Sequence, residues 1–258
     1  MGLAIRIIPA LLVKGRQLLK GERFNAWRSV GHAMQAARIH GARAVDELVI
    51  LDITATAEGR GPDLKMVEEL SKDLFCPLSV GGGVRTVDDV RNLLHAGSDK
   101  VVIGTQGVEQ SGPNGLVFQA SQIVGCQAIV VAIDVKDGYV WSRSGTRKLG
   151  NEEDCCGIPS LAAISANADG AGEILLTSIE REGTMQGYDL ELIRKVSEAV
   201  DIPVVAHGGC GSYEHMRQAI EAGADAVAAG AMFQFTEATP RGAAEYLAQH
   251  GVETRVPA

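Results

Sequence analysis

The chain repeats itself over a long stretch. Residues 47–104 align without a gap on residues 173–230, at a constant offset of 126 residues. Glu47 falls on Glu173, Asp63-Leu64 on Asp189-Leu190, Pro77 on Pro203, Gly82-Gly83 on Gly208-Gly209, Asp99 on Asp225 and Gly104 on Gly230. Solenoids and propellers repeat every roughly 20–50 residues, so a period near half the chain points elsewhere. It predicts one domain, residues 1–258, made of two similar halves, each of several strand–helix units. Each half ends strands in glycine-rich loops, which predicts two anion-binding places facing one another.

Between and around the landmarks, short β-branched runs alternate with amphipathic segments. Eight candidate strands begin at Arg6, Glu47, Leu78, Lys100, Ile129, Glu173, Pro203 and Ala226. Most are continuous apolar runs, the pattern of strands covered on both faces. The intervening segments carry helix starts: Thr86 with Asp89 three residues on reads as a capping box, and Asp189 stands in cap position. Strict strand–helix alternation requires parallel strands with right-handed crossovers. Eight units in 258 residues with a twofold repeat predict an α/β fold of the closed (β/α)8 TIM barrel type, a half-barrel duplicated. The polar stretch 143–154 is long enough for a mobile loop at the active site.

Bulk properties narrow the function. A net charge of −8 argues against a nucleic-acid partner or an anionic membrane surface, both of which need a basic field. No apolar run reaches the roughly 20 residues of a membrane span, and the N-terminus lacks a signal-peptide layout. The five cysteines are odd in number and include no Cys-x-x-Cys pair, which argues against structural disulfides and a zinc site. The expectation is a cytoplasmic protein with no metal and no cofactor. The adjacent Cys155 and Cys156 read as a chance pair in a polar loop.

In a barrel of this kind, chemistry sits at the C-terminal ends of the strands. Gly82 and Gly83 follow the third strand, Thr105 follows the fourth, Gly183 the sixth, Gly208 and Gly209 the seventh, and Gly230 the eighth. Glycine lets backbone N–H groups converge on an anion, although a turn alone accounts for a single cluster. Two clusters at matching positions favour phosphate binding. Asp52 ends the second strand, Asp134 the fifth, and Glu182 follows the sixth. A carboxylate at such a place can be tuned for proton transfer. For Asp52 a loop-anchoring acceptor is an equal reading. Asp134 is followed by Val135-Lys136-Asp137-Gly138, a turn and not a helix start. At the opposite ends, Arg6, Glu47, Lys100 and Glu173 each open a strand. They are either solvated strand ends or a closed ionic ring on the barrel axis.

With these residues on the page, the chain resembles the cyclase-subunit family of imidazole glycerol phosphate synthase, a two-subunit enzyme of histidine biosynthesis. The likeness runs through Arg6-Ile7-Ile8-Pro9, Asp46-Glu47-Leu48-Val49, Leu51-Asp52-Ile53-Thr54-Ala55, Val80-Gly81-Gly82-Gly83, Val131-Ala132-Ile133-Asp134, the run from Gly172 to Ile179, and Gly187-Tyr188-Asp189. The resemblance implies a (β/α)8 barrel, two phosphate sites for a long bisphosphate, and ammonia delivered through the barrel by a glutaminase subunit docked at the bottom face. It implies that Arg6, Glu47, Lys100 and Glu173 gate the ammonia, that Asp99 faces the partner, and that Lys20 lies in a loop folding over substrate.

One departure redirects the reading. The family uses aspartates at the ends of strands one and five as an acid–base pair. Asp134 is the second; the first should stand at position 12, where the chain reads Ala10-Leu11-Leu12-Val13-Lys14. Leucine neither accepts nor donates a proton. Gly104 replaces an asparagine of the strand-four phosphate site, and extra residues occur at 111–115 and within 151–159. The Leu-Leu segment is similar to paralogues from bacterial surface-polysaccharide gene sets, which take ammonia from a glutaminase to amidinate a nucleotide-linked acetamido sugar. That substrate, phosphorylated or nucleotide-linked, is the expectation. The alternatives are the histidine-pathway cyclase, with Asp52 or Glu182 covering for position 12, and a silent barrel that activates a glutaminase as a scaffold.

Overall fold

The computed structural model describes residues 4–43, 45–150 and 157–255. In chain order the strands are β1 (Arg6–Lys14), β2 (Gln17–Glu22), β3 (Asn25–His32), β4 (Leu48–Asp52), β5 (Leu78–Gly81), β6 (Lys100–Ile103), β7 (Ile129–Lys136), β8 (Tyr139–Ser142), β9 (Arg147–Lys148), β10 (Glu173–Ser178), β11 (Val204–His207) and β12 (Ala226–Ala229). Eight of them pair in parallel in the order β1-β4-β5-β6-β7-β10-β11-β12, and β12 returns to β1. The sheet therefore closes. The helices α1 (Ala33–Ala42), α2 (Leu64–Ser71), α3 (Val87–His95), α4 (Thr105–Glu109), α5 (Leu116–Val124), α6 (Pro159–Ala168), α7 (Leu190–Ser197), α8 (Tyr213–Glu221), α9 (Ala231–Phe235) and α10 (Pro240–Gln249) surround it. This is the predicted (β/α)8 barrel.

Side chains alternate across each strand, so every barrel strand feeds two cores. On β1, Ile7 and Leu11 belong to the layer between sheet and helices, whereas Ile8 and Ala10 join Val49, Val102, Val130, Leu175, Val205, Ala226 and Ala228 inside the barrel. Burial on both faces is why these strands are apolar throughout.

The internal repeat is carried into three dimensions without slippage. Helices α2 and α7, α3 and α8, and α4 and α9 begin and end at positions 126 residues apart, as do β5 and β11, and β6 and β12. Their caps match. Asp63 accepts from Met66 N and Asp189 from Leu192 N; Thr86 accepts from Asp89 N and Ser212 from His215 N. At the bottom, the Asp99 carboxylate accepts from Leu78 N at 2.8 Å and the Asp225 carboxylate from Val204 N at 2.9 Å.

Strict alternation of strand and helix was the wrong expectation at two places. After β1 the chain turns back as the antiparallel hairpin β2–β3, and after β7 it returns as β8 and β9. The second hairpin turns on Asp137 and Gly138, both at positive φ, which is the turn type that matches strand twist. The predicted loop 143–154 is in part the β9 return; Cys155 and Cys156 lie outside the described residues. No helix among the described residues is long and apolar enough to cross a membrane.

Candidate functional site

The two hairpins rise from strands that lie opposite each other in the barrel and close over its mouth. Beneath them is a cavity of about 340 Å³. Phe24 and Trp27 of the first hairpin line it from one side, and Trp141 and Arg143 of the second from the other. Its floor is the uppermost inward layer of the strands. Asp134, Thr177 and His207 are neighbours in register across β7, β10 and β11, and the Thr177 hydroxyl lies 3.2 Å from His207 Nδ1. Burial pushes the Asp134 carboxyl up to about 7; Thr177 opposes the rise and Glu182 adds to it. Burial, with Lys20 nearby, pushes His207 down to about 4, so its imidazole is neutral at physiological pH.

On the opposite wall stands Leu12, 6% exposed and in register with Leu51. Across the mouth, the Asp134 carboxyl on β7 therefore faces an apolar side chain on β1.

Asp52 also lines this cavity, but its oxygens are occupied. Oδ1 accepts from Thr54 N and Oγ1, both at 3.0 Å, and from Ala55 N at 3.1 Å; Oδ2 meets Arg60 at 3.1 Å. It anchors the loop after β4. Glu182 and Lys20 line a second cavity of about 10 Å³, room for about one water, which meets the large one at His207. Lys20 Nζ meets Glu182 Oε1 at 3.1 Å, and both side chains are buried. Burial raises the Glu182 carboxyl, with Lys20 opposing, and its Oε2 has no hydrogen-bond partner among the described residues.

The glycine clusters divide the same way. Gly82, Gly83 and Thr105 line the large cavity; Gly183, Gly208, Gly209 and Gly230 line the small one beside Lys20. Both clusters also have a packing reason. A Cβ on Gly82 would fall 2.4 Å from the Asp52 carbonyl oxygen, and one on Gly209 would fall 2.2 Å from that of Gly187, with φ at +113° and +102°. The Thr105 hydroxyl accepts from Arg143 N at 3.1 Å, tying the second hairpin to the first cluster.

At the far end of the barrel the four strand-start charges form a closed ring. Arg6 meets Glu47 at 2.5 Å and Glu173 at 2.9 Å; Lys100 meets Glu47 at 2.9 Å and Glu173 at 3.0 Å. Ser79 Oγ donates to Glu47 at 2.6 Å. Burial alone would raise the Glu47 carboxyl, but Lys100, Ser79 and Arg6 together hold it below its ordinary value. Among the described residues, the apolar layers of the interior core lie between ring and mouth.

The family model described as histidine biosynthesis protein matches residues 6–239, from the first residue of β1 to the residue before α10. The chain belongs to that histidine biosynthesis family. Its members are isomerase and cyclase enzymes of histidine biosynthesis; in enzymes with this barrel, chemistry sits at the C-terminal ends of the strands, which is the end that carries the mouth. For this member of the histidine biosynthesis family, sequence reasoning singled out Asp134 and the ring but passed over His207, Thr177, Trp27 and Trp141. The first two were within reach. Counting forward by twos from Glu173 and from Val205 puts Thr177 and His207 on the inward face.

Proposed function

We propose that this barrel is the ammonia-accepting synthase subunit of a glutaminase-coupled pair, and that it acts on a nucleotide-linked acetamido sugar. The observation that carries this is a contrast between the two ends. The charge ring is complete, whereas the mouth offers Asp134 on one wall and Leu12 on the other. The ring's two cations and two carboxylates cancel, and the apolar interior beyond it excludes ammonium and favours the neutral species, so ammonia is what passes.

At the mouth, ammonia adds to the acetamido carbonyl carbon and the carbonyl oxygen leaves as water, giving the amidine. The incoming nitrogen sheds two protons, one after the other, and the departing oxygen takes both, so one ammonia enters and one water leaves. A single carboxyl with a pKa of about 7 can carry each proton in turn from nitrogen to oxygen. That task does not need a second carboxylate at position 12. The histidine-pathway cyclase reading does need one, and both stand-ins are engaged: Asp52 is held by loop donors and Arg60, and Glu182 is paired with Lys20 at the small cavity that meets the large one at His207.

The experiment is turnover of the purified chain with ammonium salt, on a nucleotide-linked acetamido sugar and on the histidine-pathway bisphosphate in parallel. Exchange of oxygen for an imino group, seen by mass spectrometry on the first substrate alone, is the expected result. Turnover of the bisphosphate at the rate of ordinary family members overturns the reading in favour of the cyclase. Inactivity on both, with stimulation of a co-expressed glutaminase, turns it into a scaffold.

A further inference from the structure

The large cavity does not end at the barrel rim. Arg85 and Gln106 line it and also line an adjoining open groove of about 320 Å³ that runs outward over α3, α4 and α5. The groove is rich in neutral amides: Gln106, Gln110, Asn114 and Gln119, with Asp88 beside them. Gln119 reaches the Pro113 carbonyl at a long 3.4 Å, and the side chains of Gln106, Gln110 and Asn114 have no hydrogen-bond partner among the described residues. Amides both donate and accept, which suits a neutral ligand edge bearing both kinds of group.

At the junction Arg85 is the available cation. Arg143, the other arginine on the cavity wall, is engaged with Glu109 at 3.1 Å, whereas Arg85 has no ion pair among the described residues. The Arg85 backbone is nevertheless fixed, its N–H donating to Asp89 at 3.0 Å. The outer wall is fixed too. Gly112 N donates to both oxygens of the buried Asp169 at 2.9 and 3.0 Å, and Gly115 N donates to the Gly112 carbonyl at 2.8 Å. This wall is the 111–115 turn, which brings Asn114 to the groove.

We propose that the groove is the subsite for the nucleoside of a nucleotide-linked sugar. Arg85 meets the diphosphate where groove and cavity join, and the sugar lies in the cavity against Asp134. The groove has the volume of a nucleoside-sized group, its amides pair with a base edge, and a guanidinium is the side chain that takes phosphate oxygens in a fork. This inference rests on the nucleotide-linked reading above.

The test is isothermal titration of the full chain with UDP, GDP and inorganic pyrophosphate, repeated on Arg85→Ala and on the double variant Asn114→Ala/Gln119→Ala. All three side chains are exposed, so matching thermal melts establish that the variants fold. At least one nucleoside diphosphate should bind more tightly than pyrophosphate. Arg85→Ala should weaken both classes by about tenfold, and the double variant should weaken only the nucleotide, by about tenfold. Nucleotide affinity unchanged in both variants, or no nucleoside diphosphate binding at all, overturns the subsite. Ammonium-driven turnover of a nucleotide-linked sugar separates the two claims. If turnover persists with an unchanged KM in the groove variants, the function stands and the subsite falls; if only the histidine-pathway bisphosphate is turned over, both fall.

Discussion

Asp134 is a carboxyl held at the border between its two protonation states by the wall it sits in. Replacing it by asparagine keeps the shape and removes the proton, so turnover should fall by about 10²–10⁴-fold. A pH–rate profile of the natural chain should rise through about 7 and be absent in Asp134→Asn. Stability should move the other way. The folded carboxyl binds its proton more tightly than the unfolded one, whose value is near 3.8, so the stability it permits is full below that value and is lost as pH rises to about 7. Asp134→Asn should therefore gain melting temperature over the natural chain progressively between pH 4 and 7, and hold that gain above. A gain independent of pH would show that the carboxyl is not desolvated as described. At this scale the sequence was legible where an end residue was charged. Asp134 and Leu12 were readable, because one is an expected carboxylate and the other its absence. His207 was harder, since a histidine before a glycine pair also reads as the start of a turn, and its interior position emerges only from counting the strand.

Among the elements, the hairpin β2–β3 has the least covalent reason to stay where it is. Beyond its pairing with β1, the contacts that seat it over the mouth include Lys20 on Glu182 at 3.1 Å and Arg23 N on the Glu182 carbonyl at 2.9 Å. Both converge on one residue. Glu182→Gln leaves Lys20 buried with no counter-charge, a change that typically costs about 3–5 kcal/mol when it cannot be relieved. Here it can be relieved by opening. The expected result is faster amide hydrogen exchange across residues 17–32, with protection of β10 and β11 unchanged. Uniform protection throughout would mean that the latch contributes nothing. This hairpin was the part of the fold least visible in the sequence. Asn25–His32 alternates little and is mostly exposed, so it carries none of the apolar run by which the barrel strands were read. The barrel strands showed the opposite signal, continuous apolarity, because helices and interior cover both faces.

Across the whole molecule, the ring and the mouth sit at opposite ends of one apolar axis, and each end has its own test. Glu47→Ala removes a buried member that holds Arg6 and Lys100 together and should destabilise by about 3 kcal/mol. Glu47 is held below its ordinary 4.5, so its contribution is full above that value and lost as pH falls through the lower folded value; the variant's acid unfolding limb should be flatter. Phe75, 96% exposed in the segment between α2 and β5 at the ring end, suits a partner contact. Phe75→Ala should weaken co-purification with a glutaminase by about tenfold while leaving ammonium-driven turnover intact. The order of strands and the half-barrel duplication were readable because the offset holds at every landmark from residue 47 to residue 104. The same constancy makes the chain its own control experiment. Thr86 and Ser212 perform one capping task in two settings on a single molecule, as do Asp63 and Asp189. Alanine at either cap should cost about 1 kcal/mol. Any difference between the twins, measured by denaturant midpoint at unchanged slope, isolates what each half has acquired since the two were interchangeable.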